Sequence, residues 1–213
     1  RCLYPTRPRS PCQSQSQLAT IGQKRDSMGG WKIELNTQSE NSRFEIRLAL
    51  PDDLPFLAEI ESAACELFSQ FSFLEELPAD AIPLASFEVA QRNQLLWIAA
   101  SESGKPIGFA LVKLLGDSAH LEEIDVLPEF GRRGIGSNLV RTVCEWAQTS
   151  GLPAVTLTTF RNVPWNAPFY QKLGFRILER EELTPELQQL VEQEEHRGLK
   201  RELRVVMRCE IRG

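Results

Sequence analysis

The feature that most constrains the fold is a glycine-rich segment, VLPEFGRRGIGSNLV, which joins a strand-like stretch to an amphipathic helix. Residues 120–126 before it have the pattern of a strand, and Gly151 ends the helical pattern after it. The apolar residues of that helix recur at helical spacing: Ile135, Leu139, Val143 and Ala147. A strand-to-helix junction presents unpaired backbone N–H groups and the positive end of the helix dipole. Residues 131–137 are therefore predicted to bind a phosphate-like anion.

The residue types in this loop agree with that prediction. Gly134 and Gly136 have no Cβ that would keep a pyrophosphate away from the backbone, and Arg132 and Arg133 add positive charge. A dinucleotide-binding GxGxxG loop is a rival interpretation, but the preceding strand closes an antiparallel meander and no first βαβ unit is present. A glycine-rich surface turn is the other alternative.

Apolar periodicity and turn residues define the remaining elements from residue 44 onwards. Strands are predicted at 44–48, 95–100, 106–115, 120–126, 154–159, 175–178 and 203–209. Helices are predicted at 57–67, 84–92, 135–150, 167–173 and 185–195. This order predicts an α+β fold, in which a mixed and mostly antiparallel central sheet carries helices on both faces.

Composition excludes several classes of function. The net charge of -5 and pI near 5.3 argue against nucleic acid as a partner, because phosphate backbones require clustered basic residues. No stretch has the roughly 18 consecutive apolar residues of a membrane-spanning helix. Only two histidines are present and the five cysteines form no CxxC pair, so we expect no metal site and reduced thiols. These features predict a cytoplasmic protein.

Residues 1–42 differ from the rest of the chain. The first 25 residues contain five basic residues and no acidic one, and they are rich in Ser, Gln and Pro. We predict a disordered tail at 1–42 and one domain at 43–213. An organellar leader and an extension upstream of a start at Met28 are the alternatives, and the basic residues lack the amphipathic pattern of a leader.

The chain resembles the GCN5-related N-acetyltransferase (GNAT) family over about residues 44–212. That family carries Gln/Arg-x-x-Gly-x-Gly/Ala at the same strand-to-helix junction, and this chain has Gly131 at the first position and Gly134 and Gly136 at the glycine positions. A second family motif, Asn-x-x-Ala/Pro-x-x-(Phe/Leu)-Tyr, is roughly matched by NAPFY at 166–170. Gly131 departs from the usual Gln or Arg.

The resemblance implies the GNAT fold and acetyl-CoA as a co-substrate. It implies that two neighbouring strands splay apart and that the pantetheine arm pairs with the backbone of one of them, at Ile124 and Val126. The remaining implied contacts with acetyl-CoA are Gly131, Arg132, Arg133, Gly134, Ile135, Gly136, Ser137, Asn166 and Phe169.

Acetylation of an amine requires a base, because an amine with a pKa of about 10.4 is mostly protonated at neutral pH. His120 and Glu122 share one face of their strand if side chains alternate, whereas Glu123 and Asp125 then lie on the other face. His120 and Glu122 occupy the positions of two histidines in arylalkylamine N-acetyltransferases and are the predicted bases, with Glu123 as the alternative. Tyr170 matches the tyrosine of the family that serves the departing thiolate.

The acceptor is predicted to be a small primary amine that attacks acetyl-CoA directly in a ternary complex. Aromatic and acidic residues of two segments suit such an acceptor: Phe68, Phe71, Phe73, Glu75, Glu76, Pro164 and Trp165. A protein or peptide N-terminus is the alternative acceptor. The chain could also form a homodimer. A CoA-binding regulatory module without turnover and a nucleotide-binding domain are the alternatives from other classes.

Overall fold

The computed structural model describes residues 44–68, 81–163 and 166–211, together with the backbone of 22–25 and 31–34. The two short strands β1 (Gly22–Arg25) and β2 (Trp31–Glu34) pair with each other in antiparallel fashion. These two strands fall within the segment predicted to be a tail. The prediction relied on the absence of apolar periodicity, and backbone pairing of short strands does not require such periodicity. The rest of the tail lies outside the described residues, and the domain boundary stays a prediction.

The core of the molecule is a seven-stranded sheet in the order β3-β4-β5-β6-β7-β9-β8. Within it only β6 and β7 pair in parallel, which confirms the predicted α+β class with a mostly antiparallel sheet. Its strands are β3 (Phe44–Leu48), β4 (Leu96–Ser101), β5 (Pro106–Leu115), β6 (Ser118–Val126), β7 (Ala154–Phe160), β8 (Arg176–Ile177) and β9 (Arg204–Glu210).

Helices cover both faces of this sheet. They are α1 (Leu57–Cys65), α2 (Leu84–Arg92), α3 (Ile135–Thr149), α4 (Ala167–Lys172) and α5 (Pro185–His196). The apolar residues of α3 and α4 pack with alternate strand residues such as Val155 and Leu157, and we call this side the α3 face. The opposite side, the α1 face, is covered by α1 and α2 and, beside β9, by α5. Among the described residues no helix is long and apolar enough to cross a membrane.

Strand β6 contains one extra residue. Leu111 of β5 pairs with Glu123, but the next residue, Val112, pairs with Leu121, so that Glu122 has no partner in the register. Such a β-bulge resets the alternation of side chains beyond it. The burial pattern agrees, because Leu121 and Ile124 both belong to the core of the α3 face although three positions separate them.

The bulge changes which acidic residues face the same way as His120. Glu123 and Asp125 pair with Leu111 and Phe109, which belong to the core of the α1 face. His120 lies on that face too, because it is in register with Thr156, between two residues of the α3 face. The prediction that Glu123 and Asp125 point away from His120 is therefore wrong, since it assumed an unbroken alternation.

Strands β6 and β7 separate after a short parallel pairing. They are in register only over residues 119–121 of β6 and 155–157 of β7. Strand β6 then continues to Val126 along β5, while β7 continues to Phe160 along β9. The sheet therefore has an opening between these two strands, as the resemblance implied. We refer to it as the splay.

Candidate active site at the splay

The glycine-rich loop lies at the end of β6 and leads into α3. Gly134 is the N-cap of α3 with a φ of 80°, and Arg132 has a φ of 60°. A positive φ favours glycine, so the conformation of Gly134 is unstrained and that of Arg132 is strained. The carbonyl of Gly134 accepts from Asn138, but within the described residues no N–H group from 132 to 137 donates a hydrogen bond. Unpaired backbone donors at a helix N-terminus are the feature on which the predicted anion site depends.

The arginines of the loop are placed to add positive charge. Arg133 donates from Nη2 to the carbonyl of Glu129 at 3.2 Å, and its guanidinium lies 5.1 Å from the centre of the Phe130 ring. Both Arg132 and Arg133 are exposed. Gly131, Gly136 and Ser137 are half-buried, and Ile135 is buried, so that the predicted loop residues form one contiguous surface with a backbone donor face.

Strand β6 borders the splay with its backbone. Ile124 and Val126 are buried and pack in the core of the α3 face, so their side chains face the interior. Strand β7 has already left this edge at Leu157. The predicted contact of these two residues with an extended ligand depends on backbone groups, which is how an added strand binds an edge.

Asn166 is the N-cap of α4, whose residues Ala167 and Tyr170 pack in the core of the α3 face. Its carbonyl accepts hydrogen bonds from the N–H groups of Phe169 and Tyr170 at 3.0 and 3.2 Å. Its side chain is 1% exposed, and neither Oδ1 nor Nδ2 has a hydrogen-bond partner among the described residues. A buried amide without a partner is costly to the fold. This group is therefore suited to bind a polar ligand.

Tyr170 lies on the α3 face. Its ring packs edge-on against Phe169 at 5.2 Å and Phe175 at 5.7 Å between ring centres. The side chain is buried in the core of that face, and Phe169 is half-buried beside it. These contacts restrict the ring to one orientation, so that the hydroxyl group has a defined position.

His120 is buried and uncharged. Its Nδ1 lies 2.9 Å from Oγ1 of Thr156, which itself donates to the carbonyl of Ala119 at 3.2 Å. The hydroxyl has one proton, so Nδ1 of His120 is the donor and Nε2 carries the lone pair. Burial, followed by the charges of Lys113 and Arg204, lowers the pKa of His120 to about 3. A base with so low a pKa accepts a proton only weakly.

Glu122 occupies the bulge and points into solvent. Its side chain is 40% exposed, and Oε1 accepts from Nζ of Lys113 at 2.9 Å. The two predicted bases therefore lie in different environments. His120 is buried, whereas Glu122 forms an ion pair at the surface. An exposed pair of this kind interacts weakly, since water screens it.

Asp125 is a further candidate site residue, which the residue pattern of β6 did not single out. It is 0% exposed, and neither carboxylate oxygen has a hydrogen-bond partner among the described residues. Burial, and next the negative charge of Glu123, raises the pKa of Asp125 well above its usual value, and Glu61 of α1 contributes in the same direction. Glu61 is buried and accepts from the N–H of Ile82 with both oxygens at 3.1 Å. A carboxyl group in such surroundings strongly favours a nearby cation.

The predicted acceptor residues fall largely outside the described chain. Phe68 is buried and packs against Phe160, with 6.1 Å between ring centres, at the end of α1. The others lie outside the described residues: Phe71, Phe73, Glu75, Glu76, Pro164 and Trp165. Within the described residues no group of three or more His, Cys, Asp or Glu side chains is arranged to hold a metal ion.

Comparison with known proteins identifies a family of enzymes. The model described as "Acetyltransferase (GNAT) family" matches residues 56–175. The peptidyl-lysine N-acetyltransferase YjaB of Salmonella typhimurium is 30% identical over 110 residues, which are 52% of this chain and 63% of that protein. The glucosamine 6-phosphate N-acetyltransferase of Trypanosoma brucei brucei is 36% identical over 62 residues, 29% of this chain and 40% of that protein. The chain thus spans less than two thirds of either relative.

A solved structure shares the fold. The PaiA N-acetyltransferase of Thermoplasma acidophilum, determined in complex with coenzyme A, superposes with a TM-score of 0.53 at 19% identity. The superposition covers 79% of this chain and 99% of that protein. This likeness confirms the predicted architecture.

Replacing Asp125 with Asn should stabilise the protein in a pH-dependent way. A buried carboxyl whose pKa is raised above the unfolded value of about 3.9 favours folding below that pH and opposes it as pH rises toward the folded pKa. Asn cannot ionise, so the melting temperature of Asp125→Asn should match that of the wild type near pH 4 and exceed it as pH rises toward the folded-state pKa of Asp125. Each kcal/mol of relieved penalty corresponds to about 2–4 °C.

Thermal unfolding measured across this pH range checks the expectation. Asp52→Asn removes the same charge from an exposed site and controls for the change in net charge. A constant difference between Asp125→Asn and the wild type at all pH values, or a less stable variant at pH 8, would contradict the burial argument.

Proposed function

Because the chain belongs to the GNAT acetyltransferase family, we propose that it transfers the acetyl group of acetyl-CoA to the primary amine of a small molecule. The amine attacks the thioester directly in a ternary complex. The observation that carries the proposal is the loop of six N–H groups without partners, which ends the strand that borders the splay. A loop of this kind binds the pyrophosphate of a nucleotide cofactor.

Acetyl-CoA would be held by three parts of the chain. The backbone of 132–137 with Arg132 and Arg133 would bind the pyrophosphate, the β6 edge at Ile124 and Val126 would pair with the pantetheine arm, and Asn166 would bind a polar group. The presence of coenzyme A in the PaiA neighbour supports this assignment. The unpaired amide of Asn166 supports it independently.

The two faces of the sheet supply different chemical groups. Tyr170 belongs to the α3 face, on which the loop and α3 lie, whereas Asp125, Glu123 and His120 belong to the α1 face. The splay is the place where a thioester on one side can meet an amine on the other. We assign the α3 face to acetyl-CoA and the α1 face to the acceptor.

In the proposed reaction the ammonium group of the acceptor first loses a proton to the carboxylate of Asp125, which burial and then the nearby charge of Glu123 make more basic. The neutral amine then forms a bond to the acetyl carbon while the bond from carbon to sulfur breaks, and the proton that the nitrogen loses as it becomes an amide neutralises the departing thiolate. Tyr170 donates a hydrogen bond or proton to the departing thiolate. His120 presents Nε2 as an acceptor on the same face, and its low pKa makes it a weaker base than Asp125.

The acceptor class is the open part of the proposal. The two relatives act, by their names, on a peptidyl lysine and on an amino-sugar phosphate. Burial of Asp125 favours a small acceptor over an extended peptide, because a ligand has to displace the packing around this residue to reach it, and a small amine displaces less. A regulatory module that binds CoA without turnover would bind CoA as well but would release no thiol with any amine.

Substitution of Gly136 tests the cofactor site. Gly136→Val should abolish stabilisation by CoA, because a branched side chain would stand between the ligand and the backbone donors. Gly136→Ala, with one methyl group, should weaken it to a lesser degree. Wild-type protein should gain about 2.7 kcal/mol of stability at 100 times the Kd. The melting temperature without ligand shows whether each variant folds, and a folded Gly136→Val variant with normal CoA binding would place the cofactor elsewhere.

Two substitutions on β6 distinguish the base assignments. Asp125→Asn should lower kcat/KM at neutral pH by about 100- to 10,000-fold, the usual cost of losing a proton-transfer group, and should recover part of the rate at higher pH, where more of the amine is already neutral. Glu122→Gln should change kcat/KM little, because its side chain is exposed and bound to Lys113. Measurement of pH profiles for both variants checks this. A large loss in Glu122→Gln with a fully active Asp125→Asn would transfer the role of base to Glu122.

Substitution of Tyr170 tests the role of its hydroxyl group. Tyr170→Phe keeps the ring between Phe169 and Phe175 and removes only the oxygen. It should lower kcat by about 100-fold or more while KM for acetyl-CoA stays nearly the same, because the lost interaction forms mainly in the transition state. Steady-state kinetics at saturating amine give both constants. An unchanged kcat would remove Tyr170 from the reaction.

A further inference from the structure

A cavity on the α1 face is lined by four arginines. It has a volume of roughly 200 Å³ and lies between α5, the segment before α5 and the paired strands β7 and β9. Its polar lining includes Thr158, Glu179 and Glu194 together with Arg161, Arg180, Arg201 and Arg204. We call it the arginine pocket. The residues that form it are far apart in the sequence and meet only in the folded chain.

One of the four arginines is neutralised inside the pocket. Arg204 is buried, donates from Nε and Nη2 to the carboxylate of Glu194 at 3.0 and 3.1 Å, and donates to Oγ1 of Thr158 at 2.6 Å. Its guanidinium also lies 5.1 Å from the centre of the Phe160 ring. This pair forms a rigid polar floor whose charges cancel.

The other three arginines carry an excess of positive charge. In the described part of the chain, Arg161, Arg180 and Arg201 form no ion pair and no side-chain hydrogen bond. Glu179 is the one carboxylate in the lining that remains to balance them. Three arginines that line one cavity in a protein of net charge -5 create a local positive potential, which favours an anion. Arginine forks bind carboxylate and phosphate alike.

The pocket adjoins the acceptor side of the splay. Thr158, in its floor, is two residues beyond Thr156, which contacts His120 at 2.9 Å. Residues two apart in a strand are about 7 Å from each other and point to the same face. Strand β6 turns away after Leu121, so nothing of β6 pairs with β7 at Thr158. The floor of the pocket is therefore next to the opening, on the face that carries Asp125.

We propose that the arginine pocket binds an anionic group, a carboxylate or a phosphate, of the acceptor whose amine reaches Asp125. The acceptor is thus an amine that also carries an acid group. This inference rests on the proposed function, because it assigns the pocket to the acceptor of that reaction. The acceptor would bind at both ends, with its ammonium group at the carboxyl groups of β6 and its anionic group at the arginines.

Binding of inorganic phosphate tests the pocket itself. The protein is first saturated with CoA so that the glycine-rich loop is occupied, and phosphate is then titrated at low ionic strength in a calorimeter. Wild-type protein should bind phosphate saturably, and the double variant Arg180→Gln, Arg201→Gln should bind at least about 10-fold more weakly. Arg92→Gln, the same change on the exposed side of α2, should bind as the wild type does.

Equal binding by the double variant and the wild type would overturn the anion site, as would an absence of saturable binding by the wild type. The melting temperature of each variant shows that it is folded. The exposed and half-buried positions of Arg180 and Arg201 make these substitutions compatible with the fold.

Matched amines test the link to the acceptor. Ethanolamine, O-phosphoethanolamine and β-alanine have similar size and end in a hydroxyl, a phosphate and a carboxylate group. The wild type should acetylate at least one of the two anionic amines with a higher kcat/KM than ethanolamine. The double variant should lose about 10- to 100-fold on that amine and keep its rate on ethanolamine. Comparison of the phosphate and carboxylate arms identifies the source of the anion.

The outcomes separate the two hypotheses. If ethanolamine and both anionic amines are acetylated equally and the double variant has no effect, the proposal that the acceptor carries an anionic group is refuted, whereas acetyl transfer is supported. No transfer to any amine, with phosphate binding lost in the double variant, would refute the proposed function and uphold the anion site.

Discussion

The extra residue in β6 is the constraint on which the rest of the site depends. Leu121 is the last residue of β6 in register with β7, and Glu122 is the bulge. A bulge increases the local twist of its strand, so beyond it β6 follows β5 while β7 follows β9. The same residue thus opens the sheet and turns Glu123 and Asp125 to the α1 face. A single local irregularity produces both the passage and the groups that border it.

The site retains polar groups that burden the fold. Asp125 on the α1 face and Asn166 at the start of α4 are both buried, and their side chains have no hydrogen-bond partners among the described residues. The buried carboxylates of Asp53 and Glu194, in contrast, have partners in Arg47 and Arg204. Unsatisfied groups of this kind suit a site that binds a polar ligand, because the missing partner then arrives with the substrate.

The sequence predicts the elements of this fold far better than the orientation of its acidic residues. Strands β4 to β7 and helix α3 follow closely from apolar periodicity and from the glycines that end them. The bulge depends on how β5 pairs with β6, a contact between chain segments that periodicity within one strand does not contain. Glu at both 122 and 123 does not by itself show which of these two residues turns to the α1 face. The arginine pocket could not be predicted from the sequence for the same reason. Arg161, Arg180 and Arg201 belong to separate segments that come together only in the folded chain.

Charge on the α1 face is divided across the splay in a way that orients an acceptor. Carboxyl groups of β6 lie on one side and the unpaired arginines beyond β7 lie on the other. An acceptor with both an ammonium and an anion has one favourable orientation in this field, and that orientation directs its nitrogen to Asp125. One ammonium group of a diamine is attracted to the carboxyl groups of β6, but the other is brought close to the arginines. Repulsion between these like charges opposes binding of the diamine. On the proposed assignment, discrimination among amines follows from the separation of charge and requires no close steric fit around the body of the acceptor.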